Sequence, residues 1–155
     1  EHIRVTFRGS INASRIGKDA LKAPRSEATM RLGSVRDGVA QVDIRRAVLH
    51  EFGHVLGCLH EHQHPDANIQ WNTVALRRFF ENQHWSDEEL DRYIDREIVR
   101  RYSRTLTQYS QYDPESIMIY PIPDGCLDSG RIDFGTDLSE MDKLYISRLY
   151  PKYLR

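Results

Sequence analysis

The chemistry of this chain is concentrated in the HExxH pattern of residues 50–54, which continues to a glycine and a further histidine. Residues four apart lie on one face of an α-helix, so the imidazoles of His50 and His54 can bind a single ion. Glycine readily adopts the left-handed conformation found at helix C-termini, and we expect Gly57 to end the helix. The chain can then turn back and present His60 as a third ligand. Three neutral imidazoles leave one position of a tetrahedral Zn²⁺ open, as in catalytic zinc sites.

Glu51 is expected beside this ion and not bound to it. A zinc site that only stabilises a fold has no use for a buried carboxylate and usually closes its fourth position with Cys or His. The other alternative is a helix with unrelated core histidines. The chain has only 7 histidines, so an accidental match to three His, one Glu and one Gly at these spacings is rare. The pattern favours a zinc hydrolase with Glu51 as general base.

The composition indicates one domain, which we place at residues 1–155, with 39% hydrophobic residues and a net charge of -1. This charge balance gives no indication of binding to nucleic acid or to a membrane surface. No apolar run approaches the roughly 18 residues that a membrane-spanning helix needs. The first residues lack the pattern of a signal peptide. We therefore expect a soluble, processed or trimmed segment that is monomeric.

Alternating residues predict strands at 3–7 and 28–33, separated by a turn-rich connection over 9–14. The second strand is our candidate for the sheet edge beside the substrate cleft. The metal-binding helix is expected at 44–56, with Asp43 as its N-cap. Its apolar residues cover most of the circumference, which predicts a buried helix.

Three further helices are predicted after the metal-binding residues. Asn72 is expected to cap a helix over 72–80, and Ser86 begins a capping box before a helix over 87–103. A last helix is expected over 139–150. The packing residues of the 72–80 helix are predicted to be Val74, Leu76, Phe79 and Phe80.

Two histidines and two cysteines leave alternatives open. His62 and His64 can be extra ligands, but polar residues on a loop that leaves the site are the favoured interpretation. Cys58 and Cys126 permit one disulfide bond, and two buried thiols are the alternative.

The segment 112–120 is too apolar for a surface loop, while Pro114 and Pro121 exclude a helix, so a buried tight turn is expected. Taken with HExxHxxGxxHE at residues 50–61, its SIMxY sequence at 116–120 resembles the Met-turn of the metzincin metalloproteases.

Further residues resemble the astacin branch of that group. Glu61 directly follows the third histidine, and the LSxxD pattern at 138–142 is similar to the start of that branch's last helix. The resemblance runs from about Ile3 to Tyr150.

The resemblance implies an α+β, zincin-like fold. A small twisted sheet would lie above the active-site helix, and a mostly irregular lower half would hold the Met-turn and the C-terminal helix. It also implies a secreted zinc endopeptidase that acts on proteins or peptides, with a propeptide or inhibitor as a further candidate for the cleft. By position, His50, His54 and His60 would bind zinc, Glu51 would be the general base, Met118 the floor under the metal and Tyr120 a mobile fifth ligand.

Three features depart from the astacin pattern. Ile119 stands where members commonly have His. A strand and a long helix that usually precede the strand at 3–7 are missing, which suggests a trimmed or unusually small version. Mature members can bury their N-terminus near the Glu after the third His. Here the chain enters a strand directly from Glu1, so the sequence indicates no such N-terminal anchor for Glu61.

The residues and the resemblance together predict an extended peptide paired with the strand at 28–33. The pocket beyond Tyr120, over 121–126, would select the side chain after the cleaved bond. A non-catalytic zinc domain that binds peptides or a protein partner is the alternative, and hydrolysis of another kind of amide is a third hypothesis.

Overall fold

The computed structural model describes residues 2–81, 85–105, 110–133 and 135–151. These residues form a mixed α+β structure with one three-stranded sheet and four α-helices, which confirms the α+β part of the predicted fold. They fall into two compact units. Unit 1 comprises Glu1–Leu59, Glu115–Met118 and Gly135–Arg155, and unit 2 comprises His60–Pro114 and Ile119–Phe134. In the described part of the chain, no helix is long and apolar enough to cross a membrane.

The sheet of unit 1 contains β1 (Val5–Thr6), β2 (Asn12–Ser14) and β3 (Met30–Leu32), in the order β1-β3-β2. β1 is parallel to β3, and β2 is antiparallel to it. The prediction of strands near 3–7 and 28–33 is confirmed, although both are shorter than expected. The turn-rich connection over 9–14 was wrong, because pairing with β3 makes a strand of residues whose types favour turns.

β3 is the central strand of this sheet and not its edge, so the predicted edge position was wrong. The buried side chains of Met30 and Leu32 confirm the predicted alternation. β2 and β3 both contact the helix that carries the HExxH pattern. Among the described strands, β2 forms the edge on that side of β3.

Helix α1, which carries the HExxH pattern, spans Gln41–Val55 and begins three residues before the expected start. Ala40 is its N-cap, and Asp43 lies in the first turn instead of capping it. The helix ends as predicted, with Gly57 at a φ of 96°. The Gly57 N–H donates to His54 O and the Cys58 N–H to Gly53 O, which is a Schellman motif.

The prediction that α1 is apolar and buried all round was wrong. Its buried residues are His50, Glu51, Gly53 and His54, whereas Val42 and Phe52 are 47% and 40% exposed. The burial of α1 is therefore concentrated on the residues of the HExxH pattern.

The last helix, α4, spans Glu140–Leu149, close to the predicted range. Ser139 is its N-cap and forms a capping box with Asp142. Leu144 and Leu149 are exposed.

Unit 2 contains α2 (Thr73–Phe80) and α3 (Asp87–Tyr93), followed directly by a π-helix over Ile94–Val99. The predicted Asn72 cap is confirmed, because its side chain accepts from Ala75 N–H. The capping box at Ser86 is also confirmed. The helical run ends at Val99 instead of residue 103.

One hydrophobic cluster forms the core of unit 2. Two of the four packing residues predicted for α2 were wrong, since Val74 and Phe79 are exposed. The buried members of the cluster are Leu76, Phe80, Leu90, Ile94, Ile98, Ile122 and Cys126.

Candidate metal centre

His50 and His54 lie one turn apart on α1, with their ring centroids 4.9 Å from each other. The Nδ1 of His50 is 2.8 Å from Ile117 O, and the Nδ1 of His54 is 2.9 Å from Cys58 O. A carbonyl oxygen only accepts, so each Nδ1 carries the hydrogen and each Nε2 carries the lone pair. Backbone carbonyls therefore fix both imidazoles in the tautomer that binds a metal through Nε2.

His60 joins this pair. One ring nitrogen from each of His50, His54 and His60 lies within 4.8 Å of the others. Burial lowers the pKa of His54, which favours the neutral ring that a metal ligand requires. Three histidines in this arrangement can hold a metal ion.

Glu51 is 4% exposed, and among the described residues its Oε2 has no hydrogen-bond partner. Burial raises the pKa of this carboxyl to about 7. A buried carboxylate oxygen without a partner is costly, and such groups are concentrated at functional sites. The sequence places Glu51 beside His50, and the fold keeps it away from solvent.

The Met-turn packs closely against α1. A Cβ atom added to Gly53 would collide with the Sδ of Met118, so a larger residue at this position would force the methionine side chain to move. Met118 and Ile119 are both buried. The predicted buried turn is confirmed, and the role of Met118 as a floor under the metal stays a prediction.

Asp142 on α4 holds the start of the Met-turn, a contact that sequence reasoning missed. Its Oδ1 accepts from Ser116 Oγ at 2.7 Å, and its Oδ2 accepts from Ile117 N–H at 2.8 Å. Ile117 O is in turn the partner of His50 Nδ1. The LSxxD pattern was the available signal, but it indicates only a helix cap.

Tyr120 is half-buried in unit 2 and lies beside two histidine rings. Its ring centroid is 5.4 Å from that of His60 and 5.7 Å from that of His62. These ring distances do not test the predicted contact between Tyr120 and a metal ion.

His62 and His64 are outside the three-histidine group, as favoured from the sequence, but they are not solvated loop residues. Both are buried. His62 Nε2 lies 3.0 Å from Glu97 O, and His64 Nε2 lies 3.0 Å from Ser110 O. They therefore anchor the segment after His60 to the backbone of unit 2.

The remaining predictions concern Glu61 and the two cysteines. Glu61 Oε1 accepts from Asp113 N–H at 2.9 Å. The predicted lack of an N-terminal anchor for Glu61 concerns Glu1, which lies outside the described residues. Cys58 and Cys126 are thiols and not a disulfide, with Cys126 buried. The disulfide alternative is therefore wrong for this structure.

Two solved structures of myroilysin are similar to this chain. One has a TM-score of 0.87 and 38% sequence identity, and the match covers 99% of this chain and 74% of the other. Another has a TM-score of 0.70 and 36% identity, and the match covers 97% of this chain and 66% of the other. No protein-family model matches, and neither does any curated protein. The chain belongs to the family of myroilysin.

Proposed function

We propose that this protein is a zinc-dependent endopeptidase of the astacin branch. Myroilysin is a protease, and similarity to it over nearly the whole chain supports a hydrolase. The strongest support for this proposal is the environment of Glu51. Glu51 presents a buried carboxylate oxygen with no described partner, next in sequence to one of three clustered histidines.

The residues present fit a zinc ion. Zinc prefers imidazole nitrogen among its ligands, and the Nδ1 hydrogen bonds of His50 and His54 leave the Nε2 lone pairs for binding. We assign His50, His54 and His60 as the ligands. A bound zinc ion supplies Lewis acidity toward water and toward the carbonyl of the cleaved bond.

Glu51 is assigned as the general base. It accepts a proton from the attacking water and delivers that proton to the nitrogen of the departing amine, so the peptide C–N bond is replaced by a C–O bond. Tyr120 is assigned as a donor to the oxyanion that develops during attack. A positioned donor of this kind typically contributes about 3 kcal/mol.

The substrate is proposed to bind as an extended peptide along β2, instead of the strand expected from the sequence. The Arg15 N–H donates to Thr29 O, and the Gly33 N–H donates to Ile11 O. Because these groups alternate along a strand, the backbone groups of Asn12 and Ser14 point away from β3. No strand pairs with that edge of β2 in the described residues, so a peptide can add there.

The test is cleavage of a peptide library, with products identified by mass spectrometry. We expect internal cleavage that stops after chelation and returns when stoichiometric zinc is added. Stoichiometric zinc binding without any product would favour the alternative, a non-catalytic zinc domain that binds peptides. Cleavage of other amides but not of peptides would favour the third hypothesis. Secretion, a monomeric state and a propeptide or inhibitor in the cleft remain part of the proposal.

A further inference from the structure

We propose that the outer face of the sheet in unit 1 binds acidic side chains of the substrate through an arginine face, defined as Arg8, Arg15 and Arg31. This inference rests on the proposed function, because it takes the substrate to be an extended peptide that pairs with β2. It names the substrate class as polypeptides with carboxylates two residues apart. Its basis is the uneven distribution of charge along the chain and the side of the sheet on which the arginines lie.

Positive charge is concentrated near the start of the sequence. Residues 1–36 contain eight Lys or Arg against three Asp or Glu, whereas the whole chain has a net charge of -1. Asp19 is paired with Lys22, and Glu27 with Arg15. The exposed cations of this range whose side chains have no partner among the described residues are Arg8, Lys18, Arg25, Arg31 and Arg36. Such an excess of one sign attracts ligands of the opposite charge.

The strand pairing places Arg31 and Arg15 on one side of the sheet. The two neighbours of Arg31 in β3 are buried on the side of α1, and side chains alternate along a strand, so Arg31 points to the outer face. Its cross-strand partners are Thr6 on β1 and Ala13 on β2, and paired residues share a face. By the same alternation Arg15, two residues after Ala13, lies on the outer face.

Arg8 is brought to this face by the turn after β1. Gly9 follows it at a φ of 94°, and a Cβ atom added to Gly9 would lie 3.4 Å from the Nη1 of Arg31. The guanidinium of Arg31 therefore lies against the backbone next to Arg8. In the described part of the chain, no acidic residue forms an ion pair with either arginine. Arginine binds a carboxylate through two parallel hydrogen bonds, so an acidic side chain fits this place.

A peptide paired with β2 would extend the sheet by one strand, with alternate side chains on the outer face beside Ala13 and Arg15. Adjacent strands are about 4.8 Å apart. Ala13 presents only a methyl group between the peptide and Arg31, so the long Arg31 side chain can extend over it. The ion pair of Arg15 with Glu27 is 3.5 Å long, between side chains that are 45% and 54% exposed. Such exposed pairs contribute little, so a substrate carboxylate can replace Glu27.

This geometry selects carboxylates by their spacing as well as by their charge. Two substrate side chains that are two residues apart share the outer face, whereas adjacent side chains point to opposite faces. A general attraction between the basic segment and an acidic peptide depends on net charge and not on spacing. A preference for spacing at constant charge therefore identifies direct contact with the arginine face.

The test uses three isomeric quenched-fluorescent peptides that share one cleaved bond and contain two glutamates. Counted from that bond, the glutamates occupy two odd positions, two even positions or two adjacent positions. We expect the KM of one alternating isomer to lie about threefold below that of the adjacent isomer, and the KM of the other about threefold above it. This is the effect of one exposed charge pair, and kcat should be the same for all three.

The triple variant Arg8→Gln, Arg15→Gln and Arg31→Gln should give the three isomers equal KM values. Arg148→Gln is the matched control, because Arg148 is an exposed cation of the same unit on α4. It should keep the wild-type order of the isomers. If the wild type cleaves all three isomers with equal KM, or if the triple variant keeps the preference, the inference fails while the proposed function stands.

A second measurement does not depend on turnover. The affinities of the three labelled peptides are compared by fluorescence anisotropy, where no cleaved bond fixes the register, so both alternating isomers should bind more tightly than the adjacent one. If the wild type cleaves no peptide, the proposed function fails and this comparison still decides the inference. Equal affinities for the three isomers would overturn it, and so would tight binding of a sulfated oligosaccharide without any preference among the peptides.

Discussion

Glu51 on α1 and Asp142 on α4 are two carboxylates of the same unit with opposite surroundings. Asp142 accepts from Ser116 Oγ, Ile117 N–H and Ser139 N–H. Glu51 is buried, and its Oε2 has no partner among the described residues. Asp142 holds a turn and a helix start together, whereas no described residue donates a hydrogen bond to the buried Oε2 of Glu51.

This difference agrees with a structural role for Asp142 and with the chemical role proposed for Glu51. A buried acceptor without a partner destabilises the folded protein, so its presence needs a compensating function. A carboxylate with three donors stabilises the fold and has little capacity left for proton transfer. Asp142 nevertheless reaches the metal centre indirectly, because Ile117 lies between it and His50.

The largest expected effect is on catalysis by Glu51→Gln. Removing a general base typically costs a hundredfold to about ten-thousandfold in rate, and we expect kcat to fall about a thousandfold. Zinc content and melting temperature should not decrease, since a neutral amide is less costly to bury than a carboxylate. Peptide cleavage and metal analysis of the purified variant check both points. Wild-type turnover by the variant would rule out Glu51 as the base.

A smaller effect is expected on the pH dependence of stability in the metal-free protein. Burial raises the pKa of Glu51 from 4.5 to about 7. Between these pH values the folded protein keeps a proton that the unfolded chain has released, so the unfolding free energy falls as pH rises. The two pKa values differ by an amount equivalent to about 3 kcal/mol.

Denaturant unfolding of wild type and Glu51→Gln from pH 4 to pH 8 measures this difference. The other titrating groups are common to both proteins, so the wild type should lose stability relative to the variant as pH rises. Two parallel curves would contradict the burial of an ionisable carboxyl at this position.

The smallest expected effect is on stability in Asp142→Asn. An amide replaces one acceptor oxygen by a donor and opposes the N–H and O–H groups that point at it, so we expect a loss of about 2 kcal/mol. Glu140→Gln is the matched control, because Glu140 is exposed in the same first turn of α4. Denaturant unfolding should separate the two variants, and equal stabilities would show that the Asp142 carboxylate contributes no more to stability than an amide does.

Several elements were predicted correctly from local sequence signals. The caps at Asn72 and Ser86 and the helix end at Gly57 were predicted, because each depends on contacts within a few residues. The alternation in β3 was also evident from its apolar residues. These signals involve only neighbouring residues, so they could be interpreted without knowing how the elements pack together.

Other features depended on contacts between distant parts of the chain. β2 was mistaken for a connection and β3 for an edge, since strand order is decided by pairing across 15 or more residues and not by local pattern. The exposure of Val74 and Phe79 was missed for a similar reason. Helical spacing shows which residues share a face, but not how wide a face the neighbouring elements cover.

The sequence by itself determined the three candidate ligands and the acid beside them, because HExxH on a helix and a following glycine turn are local geometry. Only the tertiary structure decided the burial and the hydrogen bonds of these groups. It removed Glu51 from water and set the His50 tautomer through Ile117. Desolvation and hydrogen bonds from distant residues exist only when the chain is folded, so no spacing in the sequence reports them.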